Sequence, residues 1–170
     1  MFNKSDLPAP SNYFLKPGYI YLPSEPTVVS TVLGSCVAVI LWDKNRKVGG
    51  INHFQLPTCK DTDKPTARFG DASTGMLIRM MIEDGSNKRH LEAQIFGGAY
   101  NSSISSRNVG KENILTARRV LARHGIHIVS EDVGGERGRK IVYDAVLNEV
   151  AVLKVENLRK GDWHPYQGDR

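Results

Sequence analysis

Short segments rich in β-branched and aromatic residues are separated by polar turns along the chain, and this pattern predicts strands. Apolar residues at helical spacing predict only two helices, one capped by Asp71 and one running from Lys111 to His124. The predicted strands cover residues 19–23, 27–33, 36–42, 47–54, 91–98, 126–133, 139–146 and 149–155. Because the helices lie between blocks of strands, the order of elements is typical of an α+β fold with two or more layers.

The two ends of the chain differ in character from its centre. Residues 1–17 carry three prolines among polar residues, which predicts a flexible N-terminal arm. Residues 156–170 are expected to form a polar C-terminal tail. The stretch between them, residues 18–155, is long enough to bury a substantial core and is predicted to fold as a single domain.

The clearest local prediction is a hairpin around the polar tetrapeptide DKNR. In an antiparallel hairpin, directly opposed residues have a constant sum of residue numbers. A turn centred on Lys44–Asn45 makes that sum 89, which places Cys36 opposite His53. A bulge at Gly49–Gly50 would offset the pairing by one residue.

A cysteine opposite a histidine can support nucleophilic catalysis, because a neighbouring imidazolium lowers the pKa of a thiol and the imidazole can later protonate a leaving group. Gly34 and Ser35 interrupt the apolar run just before Cys36, so the backbone can turn and open there. The alternative is a packed, inert Cys36 and a His53 that is satisfied by an ordinary hydrogen bond.

Composition narrows the class of protein. The net charge of +5 and the pI near 9.3 favour an acidic partner, but aromatic residues make up only 8% and zinc-finger spacing is absent, so nucleic acid is not expected. With two cysteines and no signal-peptide pattern at its start, the chain is expected to be cytoplasmic with reduced thiols. The longest apolar stretch is shorter than the ~20 residues that span a bilayer, so membrane insertion is not expected.

Neither a cofactor nor a metal is expected. The HGIH segment at 124–127 has no further cluster of cysteine or histidine to complete a metal site. The glycine pairs at 97–98 and 134–135 lack the spacing of a phosphate-binding loop and predict tight turns instead. Cys59 lies in a polar loop and is interpreted as a bystander.

Several segments in order give the chain a specific resemblance. They are STVLGSCVAVILWD, KVGGINHFQLP, ARFGDAS, LEAQIFGGA, NVGKENI and EDVGGERGRKIVYD. Together they resemble the chemoreceptor glutamine deamidases, the CheD family, in which an LGSC cysteine is followed by a histidine in an H..LP motif. The resemblance runs from about Gly18 to Val155.

The resemblance implies a mixed β-sandwich flanked by helices, a layered cysteine-hydrolase fold. It also implies a protein-glutamine glutaminase that converts selected glutamines of methyl-accepting chemotaxis receptors into glutamates, and a CheC-type phosphatase as a further partner. Cys36 would be the nucleophile and His53 the general acid and base. The oxyanion would be held by backbone N–H groups near Gly34 and Ser35, including that of Cys36, although the alternative for these two residues is an ordinary tight turn.

The family's third catalytic residue is a threonine six positions before the cysteine, and here that position holds Ser30 while a threonine follows at Thr31. If the segment is extended, Ser30 shares a face with Cys36. This favours Ser30 by its position, although the family's residue is a threonine. Either hydroxyl could orient His53, so both alternatives stay open. Arg137 and Arg139 are candidates to meet an acidic receptor surface.

Two other functions compete with the deamidase. One is a binding module that docks on chemoreceptors or on a chemotaxis phosphatase with little catalysis. The other is a cysteine hydrolase of similar fold that acts on a different amide. The intact pair of Cys36 and His53 favours an enzyme, since a pure adaptor would need neither.

Overall fold

The computed structural model describes residues 9–156 and residue 158, which form two mixed β-sheets and two α-helices. In chain order the elements are β1 (Ser11–Phe14), β2 (Tyr19–Tyr21), β3 (Thr27–Leu33), β4 (Val37–Asp43), β5 (Val48–His53), α1 (Gly70–Glu83), β6 (Leu91–Gly97), α2 (Val109–Arg123), β7 (His127–Val133), β8 (Gly138–Asp144) and β9 (Glu149–Val155). A short 3-10 helix covers Lys88–His90. The four-stranded sheet has the order β1-β3-β8-β9, and the five-stranded sheet has the order β2-β5-β4-β6-β7.

These elements stack in three layers, because β4 is buried on both of its faces. One face of β4, with Ala38 and Ile40, packs against residues of β3 and β8 in a core between the two sheets. The other face, with Val39 and Leu41, packs against α1 and α2 in a second core. A strand covered on both faces reads as a continuous apolar run, as VAVILW does here. The expected layered α+β fold is confirmed.

Strand β1 corrects the predicted flexible arm. It pairs in parallel with β3, with Tyr13 opposite Val29, and the amide of Leu15 donates to the Ser30 carbonyl at 2.9 Å. The Leu15 side chain is fully buried between the sheets. Residues 11–15 therefore belong to the packed fold, and the chain is already ordered before Gly18. Residues 1–8, 157 and 159–170, with nearly all of the predicted tail, lie outside the described part of the chain.

The hairpin of β4 and β5 forms as predicted, but its register differs by two residues. Asp43 pairs with Val48, so the sum of opposed residue numbers is 91 and the loop has four residues. The Asp43 carboxylate accepts from two amides of that loop, which stabilises this longer turn. The predicted opposition of Cys36 and His53 is therefore wrong, since the register sets Ala38 against His53. A shift of two keeps every side chain on its predicted face, so Cys36 lies diagonally from His53 on the same face.

Helix α1 begins without the predicted cap. Its N-cap residue is Phe69, and no side chain caps the helix there. The Asp71 carboxylate lies in the first turn, where it accepts from the Ala72 amide at 2.8 Å and from the Cys59 amide at 3.0 Å. Asp71 thereby ties the long loop before α1 to the helix.

Of the two helices in the described residues, neither has the length and apolar character needed to cross a membrane.

Candidate functional site

Thr31 and His53 meet in the layer between the two sheets. Alternate residues of β3 are buried, and Thr31 is one of these inward residues, while His53 ends β5. The Thr31 hydroxyl donates to the Leu15 carbonyl at 2.7 Å, and Thr31 Oγ1 lies 2.7 Å from His53 Nδ1. Because the single hydroxyl proton is used by the carbonyl, Oγ1 accepts from Nδ1–H. The proton of the neutral ring is therefore on Nδ1, and Nε2 carries a free lone pair.

Ser30, the other candidate for this role, is only half-buried. Its neighbour Thr31 faces inward, and successive side chains of a strand point to opposite faces, so the Ser30 side chain points away from His53. The expectation that Ser30 shares a face with Cys36 is wrong, because β3 and β4 belong to different sheets and the chain turns at Gly34 and Ser35 between them. The structure therefore brings Thr31 to the imidazole and leaves Ser30 on the far side of β3.

The environment of His53 keeps its ring neutral. The side chain is 1% exposed, and this burial lowers the pKa of His53 to about 3, although the nearby Leu15 carbonyl raises it in part. Within residues 9–156 and 158, Nε2 is buried without a hydrogen-bond partner. A neutral imidazole with a free Nε2 lone pair is the form that can accept a proton from a thiol.

Cys36 lies directly before β4, at the point where the chain crosses from one sheet to the other. It is 6% exposed and packs in the core between the sheets, the same layer that holds Thr31 and His53. Val37 and Phe54 exchange backbone hydrogen bonds of 3.1 and 3.0 Å. This bridge joins the residue after Cys36 to the residue after His53 and holds the two segments side by side.

Three successive carbonyls around Cys36 are held by the residues that follow β6 and by α2. The carbonyl of Gly34 accepts from the Ala99 amide at 2.9 Å, that of Ser35 from Asn113 Nδ2 at 2.9 Å, and that of Cys36 from the Gly98 amide at 2.8 Å. Carbonyls of an extended strand point alternately to opposite sides, so this arrangement marks a turn. The turn predicted at Gly34 and Ser35 is present, and a hydrogen bond to the carbonyl of each residue from Gly34 to Cys36 holds it in place.

Sequence reasoning treated the glycine pair at 97–98 as an ordinary turn and missed its contact with the candidate nucleophile. Gly97 has a φ of +104°, and a Cβ at this position would lie 2.3 Å from the Cys36 carbonyl oxygen. Only glycine fits such a close approach of backbone to backbone. The available signal was the position of the pair at the end of a buried strand, which often marks a close backbone contact.

The two arginines proposed to meet an acidic surface have different environments. Arg139 is 2% exposed, forms an ion pair with Asp132 at 2.8 Å and donates to the Gly134 carbonyl at 2.9 Å. Arg139 is thus a structural residue, which corrects its predicted role. Arg137 is exposed and forms an ion pair with Glu156 at 3.0 Å.

No group of three or more histidine, cysteine, aspartate or glutamate residues suited to a metal ion occurs in the part of the chain that the structure describes. Cys59 is half-buried in the loop before α1, where partial burial and then the neighbouring aspartates raise the pKa of its thiol. The side chains that the structure places at the junction of the two sheets are a thiol, an imidazole and a hydroxyl.

Fold and site together define a class: a layered α+β protein with a cysteine, a neutral imidazole and a threonine hydroxyl at the junction of two sheets. The chain belongs to the CheD family. The family described as CheD chemotactic sensory transduction matches residues 55–154. That match begins after Cys36 and His53, so the relatives that follow extend the comparison over more of the chain.

A probable chemoreceptor glutamine deamidase CheD 1 of Anaeromyxobacter dehalogenans is 41% identical over 132 residues, which cover 76% of this chain and 77% of that protein. A probable chemoreceptor glutamine deamidase CheD of Trichlorobacter lovleyi is 39% identical over 81% of this chain and 87% of its own length. A probable chemoreceptor glutamine deamidase CheD of Thermococcus kodakarensis is 39% identical over 76% of this chain and 84% of its own length. The resemblance found in the sequence motifs is confirmed.

Proposed function

We propose that this protein is a protein-glutamine glutaminase that converts glutamines of methyl-accepting chemotaxis receptors into glutamates. Its relatives carry the name of chemoreceptor glutamine deamidases. The observation that carries the proposal is the 2.7 Å contact between Thr31 Oγ1 and His53 Nδ1, which leaves Nε2 of a neutral imidazole as a base beside the Cys36 turn. This is an arrangement suited to nucleophilic catalysis.

In the first step, His53 Nε2 accepts the thiol proton as Cys36 Sγ attacks the side-chain amide carbon of a glutamine. A C–S bond forms, and the carbonyl oxygen becomes an oxyanion that backbone N–H groups hold, with that of Cys36 among them. When the tetrahedral intermediate collapses, the C–N bond breaks and His53 returns the proton to the departing nitrogen, which leaves as ammonia. The product of this step is a thioester on Cys36.

In the second step, the same groups act in reverse order. His53 accepts a proton from water while the water oxygen attacks the thioester carbon, and the oxyanion forms again at the same backbone donors. When this intermediate collapses, the C–S bond breaks and His53 returns the proton to the departing sulfur, which restores the Cys36 thiol and leaves a carboxylic acid that ionises to glutamate. The burial that lowers the pKa of His53 to about 3 favours the neutral ring at the start of both steps.

The remaining site residues have supporting roles in this proposal. Thr31 holds the ring of His53 and fixes its tautomer, because its own proton is committed to the Leu15 carbonyl. Gly34 and Ser35 form the turn that presents Cys36, and their carbonyls are held by the Ala99 amide and by Asn113 of α2. The catalytic unit then begins at β1 and extends to Val155, with Ser30 outside the site.

The proposed substrate determines where the protein works. Receptor glutamines that become methyl-accepting glutamates belong to signalling domains in the cytoplasm, so we place the protein there.

A CheC-type phosphatase is the further partner that the family resemblance implies. Mixing the purified protein with such a phosphatase and measuring their co-elution on a sizing column tests this partnership, and separate elution would contradict it.

The test of the activity uses a cytoplasmic receptor fragment and peptide mass spectrometry, which detects the exchange of an amide for a carboxylate at each glutamine. We expect conversion by the wild type and a loss of at least ~10³-fold in Cys36→Ala, as for removal of a nucleophile. Cys59→Ala is the matched control, because it removes the other cysteine and should retain full activity. Undiminished conversion by Cys36→Ala would refute the assignment of the nucleophile, and binding to receptors without conversion by any variant would favour the adaptor.

A further inference from the structure

Asn113 joins the two segments that carry Cys36 and His53. It lies in the first half of α2 and is fully buried. Its Nδ2 donates to the Ser35 carbonyl at 2.9 Å and to the Gln55 carbonyl at 3.0 Å. One of these carbonyls directly precedes Cys36, and the other follows His53 by two residues. A single side chain thus fixes the distance between the two segments.

The bond to the Ser35 carbonyl also fixes the direction of the next amide. In a trans peptide, the carbonyl of one residue and the N–H of the following residue point in opposite directions. Because Asn113 holds the Ser35 carbonyl on the side of α2, the N–H of Cys36 points away from α2. The same relationship holds one residue earlier, where the Ala99 amide holds the Gly34 carbonyl and so directs the N–H of Ser35.

We propose that Asn113 is a positioning residue that sets the orientation of the Ser35–Cys36 peptide, so that the N–H of Cys36 meets the oxyanion of the reaction. The inference rests on the proposed glutaminase activity. The two N–H groups of the Asn113 amide are used by the Ser35 and Gln55 carbonyls, so Asn113 acts through the peptide that it holds.

The Oδ1 atom of Asn113 strengthens the case for a role beyond packing. Within the described residues, this buried oxygen has no hydrogen-bond partner. A buried amide with an unsatisfied oxygen is a costly choice for a helix that needs only to cover a sheet, where leucine would serve better. The benefit of Asn113 therefore lies in its two donated hydrogen bonds.

The test separates oxyanion stabilisation from thiol reactivity. Deamidation passes through an oxyanion, whereas alkylation of Cys36 by iodoacetamide displaces iodide at a saturated carbon and forms none. Asn113→Leu keeps the approximate volume of the side chain and removes both donors. Val120→Ala is the matched control, since Val120 is a buried residue of the same helix that packs against the five-stranded sheet.

For Asn113→Leu we expect kcat to fall ~10- to 100-fold and KM to change less than ~3-fold, because the lost interaction acts in the transition state. The alkylation rate of Cys36, measured on its own peptide so that Cys59 is counted separately, should stay within ~3-fold of the wild type. Val120→Ala should keep the wild-type kcat. If Asn113→Leu does not fold, Asn113→Ala supports the same comparison.

Two outcomes would overturn the inference alone: an unchanged kcat in folded Asn113→Leu, or an alkylation rate that falls in parallel with kcat. The second would mean that Asn113 only holds the thiol and imidazole together. In both cases the wild type still converts receptor glutamines. Absence of conversion by the wild type would instead refute the proposed function, and this inference with it.

Discussion

Thr31 and His53 belong to different sheets, and yet Thr31 Oγ1 and His53 Nδ1 are 2.7 Å apart. The contact is one link of a chain of hydrogen bonds that ends at the Leu15 carbonyl, directly after β1. The position of the imidazole thus depends on β1, a strand that the proline-rich N-terminal sequence does not predict. In this series of hydrogen bonds the carbonyl can only accept, so the Thr31 hydroxyl donates to it and accepts from His53 Nδ1–H. The fold therefore determines the tautomer of His53.

Replacement of Thr31 by valine should therefore impair catalysis more than it impairs folding. Valine matches the shape of threonine but cannot accept from Nδ1–H, so we expect kcat to fall by at least ~10-fold as the ring loses its fixed tautomer. The Leu15 carbonyl also loses its donor, which should lower the free energy of unfolding by about 1–3 kcal/mol. Ser30→Ala is the matched control and should retain wild-type activity. Activity lost in Ser30→Ala and kept in Thr31→Val would reverse the assignment.

The stability of the protein should depend on pH through His53. The pKa of His53 is about 3 in the folded protein and near 6.5 in the unfolded chain, so between these values the unfolded chain binds one more proton. The free energy of unfolding should therefore fall as the pH is lowered through this window, by about 1.4 kcal/mol per pH unit from this residue.

Denaturant titrations at several pH values below neutrality test this dependence. His53→Gln has no titrating group at this position, so its free energy of unfolding should decrease less steeply with acid than that of the wild type. Above about pH 7.5 the contribution of His53 no longer changes, and the two curves should run parallel there. Parallel curves throughout the acid range would contradict a buried, neutral His53.

Gly97 should be intolerant of even a single added carbon. Gly97→Ala places a Cβ 2.3 Å from the Cys36 carbonyl oxygen, so the turn that carries the proposed nucleophile must move. Gly135 also has a positive φ, of +72°, but a Cβ there meets nothing within 4 Å. Gly135→Ala therefore carries only the backbone strain of about 1–2 kcal/mol, and deamidation should be lost in Gly97→Ala alone. Similar activity in the two variants would contradict the proposed contact.

The buried Arg139 should matter far more for stability than the exposed Arg137. Arg139→Met removes the donor of the Gly134 carbonyl and leaves Asp132 only the longer ion pair with Lys154, so we expect a loss of about 3 kcal/mol in the free energy of unfolding. Arg137→Met removes a solvent-exposed ion pair, for which a change below about 1 kcal/mol is expected. Thermal and denaturant unfolding measure both variants. If Arg139→Met and Arg137→Met lower the free energy of unfolding equally, Arg139 does not stabilise its loop.

The sequence was sufficient for the elements whose apolar pattern is strong. Strand β3 is rich in β-branched residues, and the buried run of β4 is flanked by turn residues, so the sequence predicts both strands. Strand β1 was missed because four residues between prolines carry too little pattern, and its pairing with β3 depends on tertiary contacts. Register failed by two residues because Asp43 stabilises a longer loop, a preference of the turn that apolar periodicity does not record.

The site was predictable only in part, for a related reason. Cys36 and His53 could be identified from motifs, and their common face survived the error in register because side chains alternate with a period of two. The choice between Ser30 and Thr31 depended on whether the chain stays in one sheet after Leu33, which no local pattern encodes. Asn113 was out of reach, because its partners Ser35 and Gln55 are 78 and 58 residues away along the chain.

The crossing of the chain between sheets at Gly34 and Ser35 has a further consequence. Thr31 lies on one sheet, His53 on the other, and Cys36 on the connection between them, so neither sheet holds the site by itself. A local opening that separates the sheets would leave every strand ladder intact and still dismantle the three groups. Activity should therefore require the two sheets to stay in contact, and inactivation should precede the loss of secondary structure.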